Sequence, residues 1–158
     1  MSFARPSKKA FDVFAYGLRL LARREYSRSE LQRKLEQKGA SSEQAQAALS
    51  ELIESGFQDD QRFACAWART RCSAGYGPVR ISQELSMHGL STELVNAGLD
   101  ACEADWLALA QAAVTRRYSA ADLAVLATRN KAVNFLLRRG FAIEMAYSAV
   151  DLRQKSTD

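Results

Sequence analysis

Proline is nearly absent from this chain, with Pro6 and Pro78 its only two in 158 residues. Nowhere do β-branched and polar side chains alternate as a half-buried strand requires, so sheet structure is not expected. Histidine occurs once, at His88, and the cysteines, Cys65, Cys72 and Cys102, are odd in number with no Cys-x-x-Cys pair. A metal site and a disulfide framework are therefore not expected, and reduced thiols on helix faces are. No run approaches the roughly 18 apolar residues of a membrane-spanning helix. The opening Met-Ser-Phe-Ala-Arg-Pro lacks the apolar core of a secretion signal, so a cytoplasmic location is expected.

Catalytic constellations are scarce as well. Asp59-Asp60 could suggest paired carboxylates, but adjacent side chains point apart, and either residue serves as a helix cap. His88 directly precedes Gly89, where a cation complements the negative end of a helix, and no nucleophile accompanies it. Gly75-x-Gly77 follows a helical stretch and lacks the Gly-Lys-Ser/Thr ending of a phosphate loop. The expectation is a binding protein, with no enzymatic activity and no cofactor.

What the chain does have is helical periodicity. The composition is 47% hydrophobic, and Phe11, Phe14, Ala15, Leu18, Leu21 and Ala22 line up as one face of a helix expected from about Lys9 to Arg24. Ser27 with Glu30, Ser41 with Gln44, and Ser119 with Asp122 have the spacing of capping boxes. Asp59 or Asp60 is expected to cap a fourth helix carrying Phe63, Ala64, Trp67 and Ala74, and Pro78 to open a fifth.

A repeat emerges from the helix endings. Leu31-x3-Leu35-x3-Gly39, Ile81-x3-Leu85-x3-Gly89 and Ala132-x3-Leu136-x3-Gly140 are 50 and then 51 residues apart. The expected fold is all-α, with three tandem three-helix repeats forming a short, elongated, curved solenoid. The repeats are expected at 11–57, 58–102 and 103–154, with a flexible basic tail at 1–10 and a second tail at 155–158. The third repeat's middle helix is expected to be longer than its counterparts.

Charge is unevenly distributed. Residues 1–38 carry net +6, residues 39–110 net −6 and residues 111–158 net +4, a layout suited to an elongated molecule meeting an anionic or mixed-charge partner at several points, or to ordinary surface variation. Tyr16, Arg19 and Arg23 share one side of the first helix. Such a stripe can meet phosphate or carboxylate, and it is equally the pattern of a solvated face. Arg62 and Arg69 share a side of the fourth helix, Arg80 stands near the start of the fifth, and Lys131, Arg138 and Arg139 crowd the eighth.

Three of these stretches carry a resemblance. Gly56-Phe57-Gln58-Asp59-Asp60-Gln61-Arg62-Phe63-Ala64, Gly75-Tyr76-Gly77-Pro78-Val79-Arg80-Ile81 with Leu85 and Gly89, and Arg138-Arg139-Gly140-Phe141 are similar to the motifs of the bacterial RecX regulatory proteins. The resemblance spans roughly residues 11–152 and is weakest in the third repeat. It implies a regulator that binds the recombinase RecA within the RecA–DNA filament and restrains strand exchange and ATP hydrolysis. In that reading Gly56, Gly75, Gly77, Pro78, Gly89 and Gly140 shape turns, and Phe57, Phe63, Ile81, Leu85 and Phe141 pack. Arg62, Arg69 and Arg80 face the partner, with Arg138, Arg139, Arg19 and Arg23 next. A monomer is expected, with weak direct DNA contact left open. The alternative is a helix-turn-helix protein that binds a specific DNA sequence, since short helices joined by Gly turns on a basic chain look alike at this level.

Overall fold

The computed structural model describes residues 10–156. Among them the backbone forms ten helices and no strand. The expected tail at 1–10 lies outside the described residues apart from Ala10, as do the last two residues of the expected tail at 155–158. Two compact units divide the chain at residues 60 and 61.

The unit of residues 1–60 holds α1 (Val13–Leu21), α2 (Arg28–Lys38) and α3 (Ser42–Glu54). Both α1 and α2 pack on α3, and Leu31, Leu35, Ala45, Leu49 and Leu52 are buried between them. The first helix is shorter than its periodicity suggests. Asp12 caps it by accepting a hydrogen bond from the Ala15 amide at 3.0 Å, which leaves Phe11 outside the helix and 40% exposed. Buried Gly17 is the close-packing point of α1: a methyl there would stand 2.7 Å from the Leu52 side chain.

The caps show local chemistry and its limits. Ser41 and Gln44 form the full reciprocal box that opens α3. Buried Ser27 accepts from the Glu30 amide, but the Glu30 carboxylate pairs with Arg24 at 2.7 Å. Asp59 stands immediately before α4, and Asp60 has a second role. Its carboxylate accepts from the Arg28 amide at 2.8 Å and from Gln58 Nε2 at 3.0 Å, so it serves the start of α2 as well as lying in the first turn of α4. Gln58, itself buried, donates to the Tyr26 carbonyl. The Gly56–Asp60 stretch thus ties back to the start of α2 through polar groups, and Phe57, expected to pack, is 45% exposed.

The unit of residues 61–158 contains nearly all of α4 (Asp60–Ser73) and then α5 (Pro78–Met87), α6 (Thr92–Asp100), α7 (Trp106–Thr115), α8 (Ala120–Leu123), α9 (Leu126–Arg139) and α10 (Ile143–Lys155). It has two apolar clusters. Phe63, Ala64, Ala68, Ile81, Leu85 and Val95 form one; Val114, Leu123, Leu136, Phe141, Ala146 and Val150 belong to the other. Trp106 packs against both. In the third repeat α10 packs on α7, α8 and α9, so this repeat has four helices instead of three. The Ser119–Asp122 box is complete, but it opens the separate single turn α8. At 14 residues α9 is still longer than α2 at 11 and α5 at 10. Arg129 bridges from α9 to Asp151 and Gln154 of α10.

Candidate functional site

The Gly75-Tyr76-Gly77-Pro78 turn joins α4 to α5 and lies against the end of α9. A helix start carries amides without intrahelical partners, and a helix end carries carbonyls in the same condition. Here they meet directly. The Gly77 amide donates to the Arg139 carbonyl at 2.8 Å, and the Val79 amide to the Gly140 carbonyl at 2.9 Å. Pro78, between them, has no amide to leave unpaired. The positive start of α5 is thus set on the negative end of α9, a favourable alignment of helix dipoles.

Two glycines permit this approach. A methyl on Gly77 would stand 2.5 Å from the Gly140 carbonyl oxygen, and one on Gly140 2.2 Å from Arg80 Cβ. Gly140 also has φ +93°, in the left-handed region, as the closing residue of α9. The motif glycines are therefore the two sides of a single backbone contact.

Arginines gather over this junction. The Tyr76 ring has the Arg80 guanidinium at 4.3 Å, Arg139 at 5.1 Å and Arg71 at 5.3 Å from its centroid. Contacts of this kind contribute about 0.5–1 kcal/mol each where exposed. One carboxylate holds the group together: Glu84 accepts from Arg71 Nε at 2.8 Å, Arg80 Nε at 3.2 Å and Trp67 Nε1 at 2.9 Å. Its side chain is only 17% exposed. Arg80 also reaches the Arg138 carbonyl, and Arg139 donates to the Ala74 carbonyl at 3.2 Å. Beside the cluster, between α5 and α9, runs an open groove of about 490 Å³ lined in part by Val79, Met87, Leu137, Arg80 and Arg138. Met87 is 86% exposed there.

The arginines singled out from sequence separate into groups. Arg80, Arg138 and Arg139 come together at the junction. Arg62 and Arg69 lie on the side of α4 opposite Arg71, since nine residues at about 100° each amount to half a turn beyond whole turns. Arg69 donates to the Ala101 carbonyl at the end of α6. In the unit of residues 1–60, Arg19 and Lys38 both stand over the Tyr16 ring, at 5.8 and 5.5 Å, and Arg23 is exposed. Arg71 and Glu84, central to the cluster, were not singled out by the sequence. They sit 13 residues apart on different helices, and only packing brings them together.

The remaining polar chemistry is modest. The Cys102 thiol is pushed up to about 11 by burial and by the neighbouring Cys72 thiol, which keeps it protonated at neutral pH. Among the described residues no three His, Cys, Asp or Glu side chains are grouped to hold a metal ion, and no helix is long and apolar enough to cross a membrane.

Comparison with known proteins places the first two three-helix stretches of the chain in a family. Residues 14–52 match the family model described as the first three-helix domain of RecX, and residues 59–99 match that of the second. The chain is similar to a protein of Stenotrophomonas maltophilia strain R551-3 named Regulatory protein RecX, at 48% identity over 78% of this chain and 76% of that one. A protein of the same name from Xanthomonas axonopodis pv. citri is 47% identical over the same shares. The fold is similar to the crystal structure of RecX from Lactobacillus salivarius, with a TM-score of 0.67, 20% identity and coverage of 89% of this chain and 93% of that one. A second structure, titled Crystal structure of regulatory protein RecX, gives a TM-score of 0.69 at 18% identity over 88% of this chain and 70% of that one. With both three-helix domains matched and relatives approaching half identity over three quarters of their length, the chain belongs to the RecX family of regulatory proteins.

Proposed function

We propose that this protein regulates RecA: it binds the recombinase and the RecA–DNA filament, and restrains ATP hydrolysis and strand exchange. The observation that carries this reading is membership of the RecX family, at 48% identity to a protein named as its regulatory member. The arginine-rich surface supports it, because exposed guanidinium groups can steer and anchor an acidic protein surface or a phosphate backbone. Arg62, Arg69, Arg80, Arg138 and Arg139, with Arg19 and Arg23, are the proposed contact residues. In this reading the protein works in the cytoplasm as a monomer and catalyses no reaction of its own.

The contact residues differ in how safely they can be altered. Arg80 is engaged with Glu84 and the Tyr76 ring, so reversing its charge would disturb the junction. Arg69 and Arg138 are exposed, and a long, solvent-exposed contact such as that of Arg69 with the Ala101 carbonyl contributes little stability. The parent protein should cosediment with RecA filaments and lower their DNA-dependent ATPase, and Arg69→Glu with Arg138→Glu should weaken both effects at unchanged melting temperature. A parent that leaves RecA untouched refutes the proposal. If that parent instead protects a defined DNA site, the protein is a sequence-specific DNA binder.

A further inference from the structure

On the other side of Arg139 lies a second feature, separate from the groove between α5 and α9. An open pocket of about 270 Å³ is framed by the ends of α4 and α7 and by α9, and three arginines line it: Arg116, Arg117 and Arg139. Its remaining walls are Ala74, Gly75, Ala113 and Phe135, so among the described residues no carboxylate and no side-chain hydroxyl lines it. Four arginines elsewhere, Arg24, Arg71, Arg80 and Arg129, each pair with an Asp or Glu. Among the described residues no such pair involves the three that line this pocket.

Two of the three guanidinium groups are already positioned. Arg117 lies over the Phe135 ring at 4.8 Å and Arg139 over the same ring at 5.4 Å, and Arg139 is further held by the Ala74 carbonyl. Arg116, exposed at the end of α7, completes the rim. Planar, preorganised guanidinium groups around a space without counter-charge match the geometry of a phosphate oxygen pair. At about 270 Å³ the pocket lies at the lower end of the range, roughly 300–1,000 Å³, of sites that enclose a whole small molecule. It has no polar side chain besides the arginines with which to read a sugar or base. Its arginine rim is open to solvent, which suits a phosphate carried on a passing strand.

We infer that Arg116, Arg117 and Arg139 form a binding site for a backbone phosphate of a nucleic-acid strand, contacted without regard to sequence. Such contacts fix the position of a strand and make binding salt-dependent. This site does not depend on the proposed regulation of RecA, and its test omits RecA. Binding of a fluorescently labelled oligothymidylate to the full chain is measured by anisotropy across a range of salt concentrations, for the parent, for Arg116→Gln with Arg117→Gln, and for Arg116→Glu alone. Loss of this one phosphate contact on a single strand should lower the magnitude of the slope of log affinity against log salt by about 0.7. The single reversal should weaken binding although Arg116 has no partner to lose among the described residues, which separates a binding effect from a folding one. Slopes and affinities equal to the parent's overturn the inference. In a parallel arm inorganic phosphate is titrated while the Arg116 and Arg117 resonances are followed; saturation by phosphate as tight as that by the oligonucleotide overturns the assignment to a strand and leaves a site for free anions.

Discussion

The Gly77–Gly140 contact shows how one side chain, or its absence, controls a junction. At Gly89 the backbone also has positive φ, +76°, but among the described residues no atom beyond its neighbours in the chain lies within 4 Å of the place a methyl would occupy. Gly89→Ala therefore bears only the conformational cost of the left-handed region, about 1–2 kcal/mol. Gly140→Ala adds collision with the Arg80 backbone and should cost about 2–4 kcal/mol, combining that strain with overpacking. Circular dichroism melts of the two variants side by side will check the order, and equal losses would mean that the α5–α9 contact yields easily. Cys102 makes a second test at this scale. With its folded pKa at about 11 against an ordinary 9.0, it should be alkylated by iodoacetamide at pH 8 more slowly in the native protein than after denaturation. The sign for stability follows. The native thiol resists ionisation, so stability is unaffected below pH 9 and declines as pH rises from about 9 towards 11.

At the scale of helices, endings were more legible than beginnings. Gly39, Gly89 and Gly140 announce a stop by a property of the residue alone, and the 50-residue repeat follows from them. Starts depend on which partner a polar side chain takes. Ser41 and Gln44 behave as their spacing predicts because nothing else competes for them, whereas Glu30 is drawn to Arg24, and Asp60 to Arg28 and Gln58. Asp12 and Asp105, which cap α1 and α7, lack a Glu or Gln three residues on, so their spacing carries no capping-box signal. Ser27, with no exposed surface, is the cap on which α2 most depends. Ser27→Ala should lower stability by about 1–2 kcal/mol, near the upper end for a lost cap, because burial removes water as a substitute acceptor. A chemical-denaturation midpoint unchanged from the parent would show that the Asp60 contact alone suffices to start α2.

For the molecule as a whole, the alternation of charge along the sequence has a local origin. The acidic middle includes Glu43, Asp60 and Glu93, each in the first turn of a helix, and Asp105, an N-cap. Glu84 is consumed by the Arg71–Arg80 junction. Those carboxylates serve helix starts and internal pairing, so the block is in good part a record of where helices begin. The candidate site was legible only as far as motifs reach: Arg80, Arg138 and Arg139 stand in recognisable stretches, while Arg71, Arg116 and Arg117 acquire their neighbours through the packing of α4, α5, α7 and α9. The two tryptophans, Trp67 on α4 and Trp106 on α7, both lie in the unit of residues 61–158, and this makes the chain's intrinsic fluorescence spatially selective. Excited at 295 nm, the protein should report the unfolding of its second and third repeats and remain silent on its first, whereas the far-ultraviolet signal counts every helix. A difference between the two normalised transitions therefore reports on the unit of residues 1–60 without any label. A substitution confined to that unit, such as Leu35→Ala, should shift the far-ultraviolet curve while leaving the tryptophan curve where it was, and a common shift of both would show that the loss is transmitted to the tryptophans.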